Sequence, residues 1–139
     1  MEVIALRGDP NVGKSETINI VYQIMLLNGY RQVAGHFRPL GNPAIKDFID
    51  VLERGGIKVG IVFQGDYDSG TDSLQNHLSV LQAAGCSKSV CASRNTPALN
   101  QAVAAYTPSH FEDKFPPAST PALYRIENGQ YADKIYKLI

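Results

Sequence analysis

Val3-Ile4-Ala5-Leu6 is a short continuous apolar run that breaks off at Gly8-Asp9-Pro10-Asn11, and from Lys14 onward the patterning becomes helical. An uninterrupted apolar run of this kind belongs to a strand covered on both faces, as in a parallel sheet. The helical stretch continues to Asn28-Gly29, a natural stop, with Ile18, Val21, Met25 and Ile20, Ile24, Leu27 recurring at three- and four-residue spacing. So broad an apolar face predicts a largely buried helix. A buried strand that turns straight into a buried helix constrains the chain strongly, because the helix has to pack back over the sheet it has just left.

The rest of the chain extends this pattern. Gln32 to Phe37 reads as a short strand, soon interrupted by Gly35, Pro39, Gly41 and Pro43. Asp47 to Glu53 and Ile57 to Phe63 flank Arg54-Gly55-Gly56, whose glycines supply the positive φ of a tight hairpin turn. A β-hairpin is predicted; the alternative is a helix over 44–53 with Ile45, Phe48, Ile49 and Leu52 on one face. Asp72 or Ser73 caps a helix carrying Leu74, Leu78, Leu81 and Ala84 to Gly85. Ser87 to Ala92 reads as a strand and Thr96 to Tyr106 as a helix, while Pro108 to Pro121, with four prolines, reads as an irregular excursion. A last strand at Ala122 to Ile126 and a terminal helix at Gln130 to Leu138 complete the expectation. Alternating strands and helices predict an α/β fold, a three-layer sandwich with a mostly parallel sheet and one antiparallel hairpin. With 139 residues, 44% of them hydrophobic, residues 1–139 suffice for one domain with its own core.

The turn after the first strand carries the chemistry. Gly8-Asp9-Pro10-Asn11-Val12-Gly13-Lys14-Ser15 matches G-x-x-x-x-G-K-[ST], in the strand–turn–helix setting that the pattern requires. Glycines let backbone N–H groups converge on a phosphate, and the helix N-terminus adds partial positive charge. Lys14 supplies a point charge for β- and γ-phosphate oxygens, and the Ser15 hydroxyl a ligand for Mg²⁺. In these residues the chain resembles the P-loop NTPase superfamily, and more narrowly short stand-alone P-loop proteins without an assigned activity. The resemblance is specific at the phosphate loop and loose over residues 1–106. It implies a P-loop NTPase fold and nucleotide binding by Gly8, Asp9, Pro10, Asn11, Val12, Gly13, Lys14, Ser15 and Glu16.

In that superfamily a second apolar strand ends in an acidic residue that reaches Mg²⁺. Ile57 to Phe63 followed by Gln64-Gly65-Asp66 fits, so the resemblance makes Asp66 the metal carboxylate beside Ser15, with a surface-loop aspartate as the alternative. Gln64 is a candidate for orienting a water on the γ-phosphate, or a strand-end amide bonding backbone. Arg94 follows the strand 87–92 and should lie at the carboxyl edge of the sheet, where open α/β sheets bind ligands. It resembles the sensor or lid arginines of P-loop proteins, touching phosphate or stacking on adenine. Lys14, Asp66, Gln64 and Arg94 are thus the candidate catalytic residues. His36 and Arg38 are candidates for an acceptor subsite if they lie near the phosphates, although a lone His next to Phe is more often a packed one. Asp9 either bonds the loop backbone or serves an acceptor as a base.

Thirteen Lys+Arg against thirteen Asp+Glu give no long-range field for gripping nucleic acid or an acidic membrane, so a polyanion must be bound locally. Cys86 and Cys91 lack a CxxC or His partner and read as buried thiols of a reducing compartment. The first residues do not read as a signal peptide. The longest apolar stretch, 18–27, is interrupted and falls short of the roughly 20 residues a membrane helix needs. A cytoplasmic protein is expected. Asn-Lys-x-Asp, the guanine-reading motif of GTPases, is absent, which favours ATP over GTP. The leading expectation is a Mg²⁺-dependent ATP hydrolase. Its rivals are a kinase for a nucleoside- or nucleotide-type acceptor, and a slow nucleotide-gated module whose partner docks near Phe111, Phe115 and Pro116-Pro117.

Overall fold

The computed structural model describes residues 1–41, 44, 46–116 and 120–139. In chain order they form β1 (Glu2–Arg7), α1 (Lys14–Leu27), β2 (Arg31–Gln32), β3 (Arg38–Pro39), β4 (Phe48–Arg54), β5 (Ile57–Val62), α2 (Leu74–Ala83), β6 (Lys88–Ser93), α3 (Pro97–Ala104), β7 (Ser109–Asp113) and α4 (Pro121–Tyr136). The sheet runs β2-β4-β5-β6-β1-β7, with β3 also paired to β4. β5, β6, β1 and β7 are parallel, whereas β4 is antiparallel to β5 and to β2 and β3. This is an α/β fold on a mixed, mostly parallel sheet, as the alternation of patterns predicts.

β1 carries the continuous apolar run because both of its faces are covered. Ile4 and Leu6 pack under α1 and α4 with Ile18, Val21, Met25, Ala132 and Ile135. Val3 and Ala5 face the opposite layer, where Leu74, Leu78 and Leu81 of α2 meet Leu99 and Val103 of α3. The predicted hairpin is present. Arg54 pairs with Ile57 across Gly55 and Gly56, whose φ values of 59° and 79° suit a two-residue turn. The helical alternative over 44–53 is therefore displaced by β4, and Ile45 lies outside the described residues.

Four expectations need correction. Between 32 and 37 only Arg31–Gln32 is a strand, because Gly35, at φ 84°, turns the chain toward β3. Segment 108–121 is not wholly irregular, since Ser109–Asp113 adds β7 to the free side of β1. An edge strand with one neighbour needs no apolar run, so Ser-His-Phe-Glu-Asp gives little strand signal. The separate strand at 122–126 and helix at 130–138 are one helix, α4, capped by the Thr120 hydroxyl and opened by Pro121. Leu27, expected on the buried face of α1, is 86% exposed, since the helix ends there beyond its contacts with the sheet.

One buried polar group lies between α1 and the hairpin. Asp50 on β4 is fully buried, and its Oδ2 accepts from the Tyr22 hydroxyl at 2.9 Å and from Gln32 Nε2 at 2.9 Å. Burial, then the Asp50 hydrogen bond, pushes the Tyr22 phenol from 10.0 up to about 12. A group whose folded pKa is raised contributes stability that is present below its unfolded pKa and is lost as pH rises through the folded one. Tyr22→Phe should therefore lower the unfolding free energy by about 1–3 kcal/mol at neutral pH by leaving a buried carboxylate short of a donor. Denaturant titrations should show that deficit shrinking between pH 10.0 and about 12, where only the wild type loses the contribution.

Candidate functional site

The turn from β1 into α1 is held tightly at its start. Gly8 N donates to Ser93 O at 3.0 Å and Lys114 N to Arg7 O at 2.7 Å, so the ends of β6 and β7 flank it. A Cβ on Gly8 would lie 2.5 Å from the Lys114 carbonyl oxygen, which is why the position has none. Asn11, at φ 65°, and Gly13, at φ 86°, take left-handed conformations that bring the chain round to the N-terminus of α1. Lys14 is only 8% exposed, and its Nζ donates to the carbonyls of Gly8 at 2.9 Å and Asp9 at 2.7 Å. The ammonium thus lies back across the loop. Burial lowers its pKa, against the opposing pull of Asp66.

α4 clasps the start of α1 from outside. The Thr17 hydroxyl donates to Gly13 O at 2.8 Å and lies 3.3 Å from Asn128 Oδ1. Asn128 Nδ2 donates to the Glu16 carboxylate at 3.0 Å. A Cβ on Gly13 would stand 2.6 Å from the Tyr124 hydroxyl and 2.8 Å from Asn128 Oδ1, so α4 occupies the space a side chain needs.

Beside the loop, at the carboxyl edge of the parallel strands, opens a cleft of about 560 Å³ whose polar lining includes Lys14, Ser15, Asp47, Gln64, Asp66 and Arg94. The sequence candidates Lys14, Ser15, Gln64, Asp66 and Arg94 therefore meet in one place. The Ser15 hydroxyl donates to Phe63 O, at the end of β5, at 3.3 Å. Asp66 and Arg94 engage each other, with Arg94 Nε 3.1 Å from Asp66 Oδ1. Gln64 is 8% exposed and its Oε1 has no hydrogen-bond partner among the described residues.

Asp47 is the residue that motif reading misses. It is 8% exposed and within hydrogen-bonding reach of the Ser15 hydroxyl. Burial pushes its pKa up, the Ser15 hydrogen bond pulls it down and the Asp66 charge pushes it up again. Tyr124 also lines the cleft, from α4. Neither residue belongs to a motif. Asp47 precedes a strand, and Tyr124 stands on a helix whose beginning reads as a strand.

Other candidates lie elsewhere. His36 and Arg38 line a groove with Ile49, Val51 and Val80, and Arg38 pairs with Asp72 at 3.3 Å. Asp9 is exposed; its carbonyl accepts from Lys14, while its carboxylate acts on that ammonium by charge alone. Cys86 and Cys91 are free and buried, and burial raises their thiols to about 11 and about 12. Phe111 lies under the Arg7 guanidinium, 4.4 Å from the ring centre, whereas Phe115 is exposed and Pro117 lies outside the described residues.

The oxygens of Ser15, Asp47 and Asp66 are hard donors of the kind Mg²⁺ takes. Among the described residues no three His, Cys, Asp or Glu side chains form a metal cage, but Mg²⁺ held jointly with phosphate oxygens needs none. Among the described residues, no helix is long and apolar enough to cross a membrane.

Asn128 is 1% exposed and serves Thr17 and Glu16 together. Asn128→Ala should cost about 1–3 kcal/mol in thermal or denaturant unfolding, since it strips partners from two groups at the start of α1.

In comparisons with known proteins, the chain matches no protein-family model, no curated protein and no solved structure.

Proposed function

We propose that this chain binds ATP with Mg²⁺ on the Gly8–Ser15 loop and hydrolyses its terminal phosphoanhydride. The observation that carries the reading is Lys14, a buried ammonium folded over a strand-to-helix turn and held, among the described residues, by that turn's own carbonyls. A cation so placed exchanges neutral acceptors for anionic phosphate oxygens when a polyphosphate enters, which adds ion-pair attraction to bonds that are already charge-assisted. The left-handed positions at 11 and 13 and the start of α1 direct backbone donors and the helix dipole to the same spot. The donor set in the cleft fits Mg²⁺, which when bound neutralises charge developing on the transferred phosphoryl group.

Within this reading each side chain has a task of its own. Ser15 offers its hydroxyl oxygen as a ligand. Asp66, the carboxylate that the resemblance singles out, stands in the cleft beside Arg94, and that guanidinium is positioned for phosphate oxygens at the Asp66 end. Gln64, whose buried amide oxygen has no partner among the described residues, is the candidate for orienting the attacking water.

One observation favours a second reading. A cavity of about 350 Å³ adjoins the cleft and shares Ser15, Glu16, Asp47 and Phe63 with it, adding Asn19 and Lys46. A small acceptor there would make the reaction phosphoryl transfer, with water replaced by an acceptor hydroxyl.

ATP and GTP binding with and without Mg²⁺, read together with phosphate release, tests the proposal. Lys14→Ala should stay folded and weaken ATP binding about 100-fold or more, about 2.7 kcal/mol. Unchanged affinity in the folded variant rejects the P-loop reading. Without an Asn-Lys-x-Asp motif, competition should give weak discrimination or a preference for ATP; a GTP preference above about tenfold, about 1.4 kcal/mol, would require a guanine pocket. Arg94→Ala should slow turnover of both nucleotides alike and leave their ratio unchanged. Turnover that rises on adding nucleosides or nucleotides selects the kinase reading.

A further inference from the structure

The two carboxylates of the cleft stand in different surroundings. Asp66 is more than a third exposed and already has a cation, Arg94. Asp47 is 8% exposed and pairs with no cation among the described residues. Its place follows from topology. Because β4 runs antiparallel to β5, the start of β4 comes to the carboxyl edge where β5 ends, and Phe63 N donates to Phe48 O at 3.0 Å. Leu40 N donates to Asp47 O at 2.8 Å and fixes the backbone there. Ser15 reaches the same corner through its bond to Phe63 O.

A second, independent observation comes from Gln64. Its side chain lines the same cleft, is nine-tenths buried and leaves Oε1 without a donor. A buried carboxylate lacking a counter-charge and a buried carbonyl oxygen lacking a donor are both unfavourable. A hydrated divalent cation relieves both, the metal serving the carboxylate and its waters the amide oxygen. We propose, resting on the P-loop reading above, that Asp47 rather than Asp66 is the carboxylate that completes the Mg²⁺ site at Ser15, with Gln64 Oε1 as an acceptor at its margin. The Ser15 hydroxyl can then turn its proton toward Asp47 and a lone pair toward the metal.

ADP binding by calorimetry, with Mg²⁺ and with the metal chelated, separates this assignment from the reading beneath it. For the wild type Mg²⁺ should tighten ADP binding. Asp47→Asn should lose about tenfold or more of that enhancement while its metal-free affinity stays within about twofold, and Asp66→Asn should keep the enhancement. A measurement on the wild type needs no variant to fold: Mn²⁺ with ADP should broaden the side-chain carboxyl carbon resonance of Asp47 more than that of Asp66. An Asp47→Asn protein that keeps the full enhancement, or stronger broadening at Asp66, overturns the assignment and leaves the P-loop reading standing. A folded wild type that binds no nucleotide under either condition overturns both.

Discussion

The turn between β1 and α1 has no room for a side chain at either glycine, and the rest of the site depends on that crowding. At Gly8 the obstacle is the Lys114 carbonyl at the end of β7; at Gly13 it is Tyr124 and Asn128 of α4. Both obstacles come from the last third of the chain. The loop is thus shaped by elements far from it in sequence, pressed between two strand ends below and a helix above. Lys14 can lie across it only because the carbonyls of Gly8 and Asp9 are presented on the cleft side. A turn this confined is held in its shape by the packing around it, and the anion binding proposed above draws on that pre-organisation.

Much of the fold was legible because its strongest signals are local. The continuous run of β1, the periodicity of α1, the Gly55-Gly56 turn and the cap at Ser73 each follow from the chemistry of neighbouring residues. The losses share one cause. β7 borrows its stability from pairing with β1 and covers it with ordinary polar residues, so nothing in Ser-His-Phe-Glu-Asp reports a strand. In α4, the expected strand at 122–126 and helix at 130–138 left Asn128 between them, yet it is buried inside one helix because Glu16 and Thr17 supply its partners. Tertiary contacts override the local preference there.

The site divides in the same way. A spacing motif identified Lys14 and Ser15, and strand-end logic brought Gln64, Asp66 and Arg94 to the correct edge of the sheet. Asp47 belongs to no motif, since its position follows from the antiparallel direction of β4, which puts the beginning of one strand beside the end of another. The predicted hairpin already implies that direction, and the pairing of Ile49 with Val62 and the Phe63-to-Phe48 hydrogen bond fix it at the Asp47 end. His36 and Arg38 lie elsewhere for the converse reason. They follow the short β2 and turn onto the groove beside Val80, where Asp72 engages Arg38.

The chain is electrically neutral, so the polyanion binding proposed above would rest on how charges are arranged within the cleft. The Arg94–Asp66 pair is exposed enough that such pairs contribute only about 0–1 kcal/mol, and opening it to release the guanidinium costs little. Lys14 is bound to carbonyls, which phosphate oxygens outcompete. Both cations are therefore available to an incoming nucleotide. Asp47 differs, because a buried carboxylate cannot turn to solvent, and among the described residues the Ser15 hydroxyl is its side-chain hydrogen-bond partner and no cation pairs with it. A triphosphate entering alone would add negative charge against it, whereas one entering with a divalent cation brings the counter-charge Asp47 lacks. On the proposed reading, coupling between nucleotide and metal would thus follow from the burial of one carboxylate.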